Sequence, residues 1–245
     1  MKVPVIALMS SVPEEGKLFI GQLKKTTVAG EEFLYEGRMH GKHVVYMVSG
    51  MGKTNAAHSA TLLLEKFSPD VLILFGIGGA YPSSGLEVGD IAVADKELYG
   101  DEGVLTQDGF QGTDSIGIPL VVKGGRKYFN EFDLDKKFFA KALRSLASRS
   151  QPFAGRIAVG SGTFVTVSTC TGTRKRALEL QKRFGAICEN MEGAAAAHIC
   201  TLYKTPMVEI RGISNIVGDR DRSKWDITLA AKTCQEAVID ILSSP

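Results

Sequence analysis

The chain has 245 residues, of which 44% are hydrophobic and 23% charged, and its formal net charge is +2. This length is enough for one α/β domain with a sizeable core, so we interpret residues 1–245 as a single domain. Lys and Arg are spread along the chain without a basic stripe, and no segment has the ~18 apolar residues of a membrane helix, so we expect neither nucleic acid nor a membrane as a partner.

The first half of the chain alternates between extended and helical patterns. Val3–Met9 is a short apolar run that predicts a strand, and Glu14–Lys25 has apolar positions at helical spacing. Two alternating segments joined by His40-Gly41-Lys42 predict a hairpin, Phe33–Met39 and His43–Ser49. The remaining predictions in this half are a helix over Asn55–Phe67, strands over Val71–Phe75 and Ile91–Ala94, and loops over Glu97–Lys127.

The second half continues the same alternation. Its predicted helices are Leu134–Ala147, Arg174–Phe184, Gly193–Tyr203 and Ile227–Leu242. Its predicted strands are Arg156–Val159, Phe164–Val167, Ala186–Cys188 and Met207–Ile213. Strands that alternate with helices in this way indicate an α/β fold with a layered sheet.

Two glycine clusters follow apolar strands, Ser49-Gly50-Met51-Gly52-Lys53-Thr54 and Gly76-Ile77-Gly78-Gly79-Ala80. The first is not a phosphate-binding P-loop, because the motif needs a glycine where Met47 stands. The second is not a dinucleotide fingerprint, because Tyr81 replaces its third glycine. Both clusters are interpreted either as tight strand-to-helix turns or as places where the backbone approaches a ligand closely.

The cysteines and histidines show no redox or metal-ligand spacing: Cys170, Cys188, Cys200, Cys234, His40, His43, His58 and His198. The first residues lack the charged start and the cleavage site of a secretory signal. We therefore expect a soluble cytoplasmic protein with reduced thiols, no metal and no cofactor.

Two motifs carry a resemblance to a known family. Glu189-Asn190-Met191-Glu192-Gly193-Ala194-Ala195 ends a strand and opens a helix, and Arg211-Gly212-Ile213-Ser214-Asn215 follows further along the chain. With the two glycine clusters and Val88-Gly89-Asp90-Ile91, they resemble the nucleoside phosphorylase/nucleosidase superfamily, in particular methylthioadenosine/S-adenosylhomocysteine nucleosidases and futalosine hydrolases. The stretch Ser214–Arg222, with Trp225 after it, is similar to the futalosine hydrolase form. The resemblance implies a three-layer αβα sandwich around a mixed, partly barrel-like sheet, and a homo-oligomer.

Cleavage of a ribosyl bond to a purine needs a carboxylate near the sugar, an activated water and hydrogen bonding to the departing base. The resemblance implies that Glu192 accepts hydrogen bonds from ribose hydroxyls, and a helix start favours its ionised form. Met191 would pack against the sugar or else belong to the core. Glu15 is the candidate general base, although Glu14 beside it is the alternative. The loop Ser10–Gly16 has these two glutamates and no Arg, which disfavours phosphate and favours hydrolysis over phosphorolysis.

Asn215 is the informative departure from the adenosine-type nucleosidases, which by resemblance carry an Asp acting as an acid here. An amide offers one donor and one acceptor, which suits a 6-oxopurine such as the hypoxanthine of futalosine. Ser214 would support this amide. Because Asn cannot supply a proton, the base leaves as an anion or is protonated by water, Asp219 or Asp221.

The remaining candidates come from the resemblance and from the chemistry of the substrate. Gly78 would approach the substrate, Phe164 would stack on the purine unless it is a core residue, and Arg211 would orient Glu192 or a substrate oxygen. Futalosine also carries a benzoate carboxylate, which a guanidinium group matches well. Arg220 and Arg222 are its candidate partners, with solvated loop arginines as the alternative.

We therefore expect a hydrolase that converts futalosine into hypoxanthine and dehypoxanthine futalosine in menaquinone biosynthesis. One alternative is another purine nucleosidase or phosphorylase, acting on methylthioadenosine, S-adenosylhomocysteine or inosine. A second is a non-catalytic nucleoside-binding protein, against which the presence of Glu15 and Glu192 argues. The Glu97–Lys127 region either closes the site or forms an interface.

Overall fold

A computed structural model of the protein describes residues 3–28, 31–147 and 157–244. Within these segments ten strands form one mixed sheet. They are β1 (Val5–Ser10), β2 (Lys24–Val28), β3 (Glu31–Met39), β4 (Lys42–Val48), β5 (Val71–Ala80), β6 (Ile91–Tyr99), β11 (Glu131–Asp133), β12 (Val159–Thr166), β13 (Cys188–Asn190) and β14 (Met207–Ile216). Two small hairpins stand apart from it, β7 (Gly103–Thr106) with β8 (Gly109–Gly112), and β9 (Val121–Lys123) with β10 (Arg126–Tyr128).

The sheet closes on itself at one end. Strand β14 pairs in parallel with β5 and antiparallel with β6. From β6 the pairing continues through β12 and β13 back to β5. These five strands therefore form a closed ring, while β1, β4, β3 and β2 extend from β5 as an open sheet. This is the partly barrel-like mixed sheet that the resemblance implies.

Helices cover both faces of the sheet, as α1 (Lys17–Ile20), α2 (Lys53–Phe67), α3 (Lys136–Leu146), α4 (Arg174–Phe184), α5 (Gly193–Tyr203) and α6 (Ile227–Ser243). Successive strand residues point to opposite faces. On β1, Ala7 and Met9 join the core beneath α2 and α5, whereas Ile6 and Leu8 join the core that contains α3 and α6. The predicted three-layer α/β architecture is confirmed.

Most predicted elements form, but the helix predicted over Glu14–Lys25 does not. A 3-10 turn over Pro13–Gly16 leads into the four-residue α1, and the chain is extended again from Lys24. Gly16 lies at the junction of the 3-10 turn and α1. A Cβ at this position would overlap the Tyr46 side chain, so glycine allows the loop to pack closely on the sheet here.

The second glycine cluster does not form a turn. Strand β5 continues through Gly76–Ala80, so the prediction that the strand ends at Phe75 is wrong. The first cluster is a turn, as predicted, with Gly50 at a φ of 85° and Gly52 at 94° before α2 begins. Positive φ angles of this size favour glycine because a Cβ would be strained there.

Two further predictions need correction. The loops expected over Glu97–Lys127 contain the end of β6, two hairpins and a 3-10 turn. The two strands predicted around Val159 and Phe164 are one continuous strand, β12; Arg156 lies outside the described residues. Among the described residues, no helix is both long enough and apolar enough to cross a lipid bilayer.

Candidate active site

A cavity of about 290 Å³ opens where β5, β13 and β14 end, next to the loop that follows β1. Nine of the predicted site residues line it: Glu15, Gly78, Met191, Glu192, Arg211, Ser214, Asn215, Asp219 and Arg220. A larger groove of about 610 Å³ beside α3 and α5 contains none of them. The sequence-predicted residues therefore converge on one cavity from several separate segments of the chain.

Glu15 is the inward-facing carboxylate of the first loop. Its side chain is only 4% exposed, whereas Glu14 is exposed to solvent. Its Oε2 accepts from the backbone N–H groups of Ser11 (2.9 Å) and Val12 (3.2 Å), and its Oε1 accepts from Ile77 N–H at 2.8 Å. Burial raises the pKa of Glu15, and the nearby Arg211 guanidinium opposes that rise. Of the two candidate glutamates, it is therefore Glu15 that lines the cavity.

The glycines of β5 make this arrangement possible. A Cβ on Gly76 would lie 2.6 Å from Oε1 of Glu15, which is too close for two unbonded atoms. A Cβ on Gly78 would lie 2.6 Å from Cys188 Sγ. The glycine cluster therefore allows the side chains of Glu15 and Cys188 to approach the backbone of a continuous strand closely. Gly78 itself also lines the cavity.

Glu192 lies at the N-cap position of α5 and is almost fully buried. Its Oε1 accepts a 2.9 Å hydrogen bond from Gly52 N–H, which joins the first glycine turn to the Met-Glu-Gly motif. Its Oε2 lies 3.3 Å from Nη2 of Arg211. The carboxylate is thereby held at the start of α5 by a backbone donor on one oxygen and a guanidinium beside the other.

Arg211 is the buried cation between these carboxylates. Its Nε donates to Glu209 Oε1 at 2.9 Å, and its Nη1 donates to the carbonyl of Ile77 at 3.2 Å. The neighbouring carboxylates of Glu209, Glu192 and Glu15 outweigh the effect of burial and raise the pKa of Arg211, so it stays charged. The expected role of Arg211 in orienting Glu192 agrees with these contacts.

Asn215 follows an irregularity in the pairing of β14 with β5. Its Oδ1 accepts a 2.9 Å hydrogen bond from the Ser214 hydroxyl, and its Nδ2 donates to the carbonyl of Ile216 at 3.3 Å. The Ser214 hydroxyl thus contacts this amide, and it also lies 3.2 Å from the carbonyl oxygen of Gly78. A second hydrogen on Nδ2 remains for a ligand in the cavity.

Two predicted site residues lie outside the cavity. Phe164 has no exposed surface and belongs to the hydrophobic core that contains α2 and α5, so its predicted stacking on the purine is wrong. Strand alternation explains the error, because a residue on β12 faces either the core or the opposite side, and Phe164 faces the core. Arg222 is solvent-exposed in a 3-10 turn over Arg222–Lys224 and does not line the cavity.

The two aspartates considered as proton donors act as hydrogen-bond acceptors. Asp219 Oδ1 accepts from Arg174 N–H at 2.9 Å, at the first residue of α4. Asp221 accepts from the backbone N–H (3.2 Å) and the hydroxyl (2.6 Å) of Ser223, which lowers the pKa of Asp221, and it does not line the cavity. Asp221 is therefore not a source of the proton for the base.

Several lining residues were not predicted as site residues. Glu189 accepts from the N–H (2.9 Å) and the hydroxyl (2.5 Å) of Thr171 and from the Tyr81 hydroxyl at 3.1 Å, which anchors the segment after β12 beside the cavity. Ser11, Met51, Cys170 and Trp225 also line it. Glu189, Met51 and Trp225 carried a signal, since they belong to the segments on which the resemblance rests. Among the described residues, no group of three or more His, Cys, Asp or Glu side chains is arranged to hold a metal ion.

Comparison with known proteins agrees with this geometry. The Phosphorylase superfamily model matches residues 5–243. The chain is 31% identical to a futalosine hydrolase of Thermus thermophilus, over 91% of this chain and 92% of that one. It is 30% identical to a 5'-methylthioadenosine/S-adenosylhomocysteine nucleosidase of Lysinibacillus sphaericus, over 100% of both chains.

A solved structure is also similar. The 5'-methylthioadenosine/S-adenosylhomocysteine nucleosidase of Neisseria meningitidis, in complex with methylthio-immucillin-A, superposes with a TM-score of 0.82 at 25% identity. The similarity covers 99% of this chain and 100% of that one. The chain therefore belongs to the phosphorylase superfamily.

Proposed function

We propose that the protein is a nucleosidase that hydrolyses the N-glycosidic bond of futalosine, releasing hypoxanthine and dehypoxanthine futalosine in menaquinone biosynthesis. The observation that carries this proposal is Asn215, an amide held by Ser214 at the cavity instead of a carboxylic acid. An amide that donates from Nδ2 matches O6 or N7 of a 6-oxopurine. The 31% identity to a futalosine hydrolase supports the same substrate.

The reaction follows from the carboxylates around Arg211. Glu15, when ionised, takes a proton from water, and the resulting hydroxide attacks C1′ of the ribose. The C1′–N9 bond breaks and its electron pair leaves with the base. Glu192 accepts hydrogen bonds from the ribose hydroxyls, so its negative charge stabilises the oxocarbenium character of the sugar.

The departing base is stabilised as an anion by hydrogen bonding to Asn215. Its proton then comes from water or from Asp219, which lines the cavity, since neither Asn215 nor Asp221 can supply it. The distal carboxylate of futalosine needs a cation at the mouth of the cavity. Arg220 lines the cavity and lies over the Trp225 ring, 5.0 Å from its centroid, which holds the guanidinium near that mouth.

A second candidate function is hydrolysis of methylthioadenosine or S-adenosylhomocysteine. The observation that favours it is the 30% identity, over 100% of both chains, to a 5'-methylthioadenosine/S-adenosylhomocysteine nucleosidase. Both reactions use the same base and the same ribose carboxylate, so they differ at the purine 6-position and at the 5′ substituent. The contacts of Asn215 and Arg220 are what favour futalosine.

The proposal is tested by incubating the protein with futalosine, 6-aminodeoxyfutalosine, inosine and methylthioadenosine in phosphate-free buffer and following free base by chromatography. Rapid release of hypoxanthine from futalosine supports it. Release of adenine from methylthioadenosine with futalosine left intact would establish the second candidate instead. A strict requirement for added phosphate would identify a phosphorylase.

The Asn215→Asp variant tests the role of the amide directly. A carboxyl group can hold a proton toward N7 and accept from a 6-amino group, so we expect the preference to move from 6-oxo toward 6-amino substrates. The ratio of kcat/KM for 6-aminodeoxyfutalosine to that for futalosine is expected to rise about tenfold or more. The reason is that, in one hydrogen bond to the purine, the side chain at residue 215 changes from donor to acceptor. An unchanged ratio would mean that Asn215 does not discriminate between 6-oxo and 6-amino purines.

A further inference from the structure

Two more carboxyl groups are buried beneath the cavity without lining it, Glu97 on β6 and Glu209 on β14. Both side chains have no exposed surface. They face each other beside Gly193, since a Cβ on Gly193 would overlap Oε1 of Glu97 and Oε2 of Glu209. Two ionised carboxylates cannot be held in contact in a buried site without strong repulsion. Burial and the neighbouring Glu209 carboxylate raise the pKa of Glu97 well above its ordinary value.

Within the described part of the chain, the hydrogen bonds of the pair leave one carboxylate oxygen, Oε2 of Glu209, without a donor. Glu97 Oε2 accepts from the Thr166 hydroxyl at 2.8 Å, and Glu97 Oε1 accepts from Asn190 Nδ2 at 2.5 Å. Glu209 Oε1 accepts from Arg211 Nε at 2.9 Å. Glu209 Oε2 is buried and receives a hydrogen bond from no donor among the described residues. A proton held between Glu97 Oε1 and Glu209 Oε2 supplies the missing partner.

We propose that Glu97 and Glu209 share one proton, and that this carboxyl pair positions Glu192 for the sugar from two sides. Arg211 makes the first connection between the pair and Glu192. Glu209 fixes the guanidinium through Nε, and the same guanidinium brings Nη2 to 3.3 Å from Oε2 of Glu192. The role assigned to Glu192 at the sugar rests on the proposed function.

Asn190 makes the second connection between the pair and Glu192. Its Nδ2 donates to Glu97, and its Oδ1 accepts from the backbone N–H groups of Glu192 (2.9 Å) and Gly193 (2.7 Å). This amide therefore sets the start of α5, where the Glu192 side chain leaves the backbone. Both ends of Glu192, its carboxylate and its backbone N–H, are thus connected to the same carboxyl pair.

The other titratable and charged groups that face the pair come from several elements. Arg211 on β14 and Glu192 at the start of α5 act on Glu209, Cys188 on β13 lies near both carboxyls, and Tyr99 lies on β6 with Glu97. Burial raises the pKa of the Cys188 thiol and of the Tyr99 hydroxyl, so both are neutral at physiological pH. With one shared proton, the pair carries a single negative charge toward Arg211.

The shared proton is tested by infrared difference spectroscopy of the wild-type protein against Glu209→Gln at pH 8. The glutamine amide can donate to Glu97 and still accept from Arg211, so the variant keeps the contacts and the net charge but has no shared proton. We expect a protonated-carboxyl C=O band in the wild-type spectrum that the variant lacks; Glu15 is present in both and cancels. Absence of this band would overturn the proposal, and no substrate is needed, so the result is independent of the proposed function.

The positioning role is tested by comparing kcat for Glu209→Gln and Glu209→Met, with whichever nucleoside the protein cleaves. Methionine removes both hydrogen bonds, so the glutamine variant is expected to have a kcat about tenfold or more higher, with KM values within about threefold of each other. Equal kcat values in two folded variants would overturn the positioning role. The infrared measurement stands whether or not the methionine variant folds.

Discussion

Glu15 is a carboxylate with three backbone N–H donors and almost no contact with solvent. Because it is the general base in the proposed reaction, Glu15→Gln should lower kcat by about 10²- to 10⁴-fold, the usual contribution of such a group. KM should change much less, since the base acts in the transition state. Steady-state kinetics checks this, and Glu14→Gln, at the exposed neighbouring position, is the matched control.

The same residue determines the expected pH dependence. Burial raises the pKa of Glu15 above its ordinary value of 4.5, so the folded protein protonates it at a higher pH than a solvated glutamate. The base works only when ionised, and kcat is therefore expected to fall as the pH decreases through that raised pKa. A pH profile that stays flat down to the ordinary glutamate pKa would contradict the assignment of Glu15.

Arg220 and Arg222 form a natural pair of test positions, because the first lines the cavity and the second does not. A guanidinium–carboxylate contact is charge-assisted, so Arg220→Ala should raise KM for futalosine by about tenfold or more. Arg222→Ala should leave it within about twofold. Inosine has no distal carboxylate, so its KM is the internal control. Equal losses on both substrates would remove the assignment of Arg220.

At the scale of elements, Phe164 shows how a strand residue can be misassigned. It is fully buried on β12 in the hydrophobic core. Phe164→Leu removes ring atoms without adding a polar group and should lower the free energy of unfolding by about 1–2 kcal/mol. Urea unfolding measures this loss, while KM for the substrate is expected to stay the same. A large rise in KM at unchanged stability would show instead that Phe164 contributes to substrate binding.

The helix boundaries in the second half of the chain were the most predictable part of the fold. Helices α4 and α5 span the predicted residues Arg174–Phe184 and Gly193–Tyr203. Helix α4 has local signals at both ends, since the Thr173 side chain caps its first turn and Gly185 ends it in a left-handed conformation. Such signals are readable in sequence because the physical cause lies within a few residues of the effect.

Strand β5 was less predictable for the opposite reason. A glycine run after an apolar segment is typical of a turn, yet Gly76 and Gly78 lie in the strand. Their cause is long-range, because Glu15 and Cys188 occupy the space that side chains at these positions would need. The same holds for Glu97 and Glu209, whose contact beside Gly193 exists only after β6 and β14 have paired.

At the scale of the whole molecule, the pairing of β5 with both β1 and β14 creates the site. Glu15, Gly52, Glu192 and Arg211 come from separate segments, and they meet because β5 and β14 pair in parallel beside β1. The motifs and the resemblance identified most of these residues. They did not predict which side chain donates to which, since those contacts depend on the register of strands that are distant in sequence.

The surface of residues 104–122 bears on the expected homo-oligomer. Several apolar side chains are exposed there, with Leu105 at 83% and Ile118 at 70% of their surface. Exposed apolar side chains that gather on one surface are typical of interaction sites in soluble proteins. We therefore predict that this region forms the contact between copies of the chain, and that the double variant Leu105→Glu/Ile118→Glu shifts the protein to a monomer in sedimentation velocity. Leu178→Glu, on α4, is the matched control and should keep the assembly. A monomeric wild-type protein would contradict the oligomer, and an intact assembly of the double variant would exclude this surface as its contact.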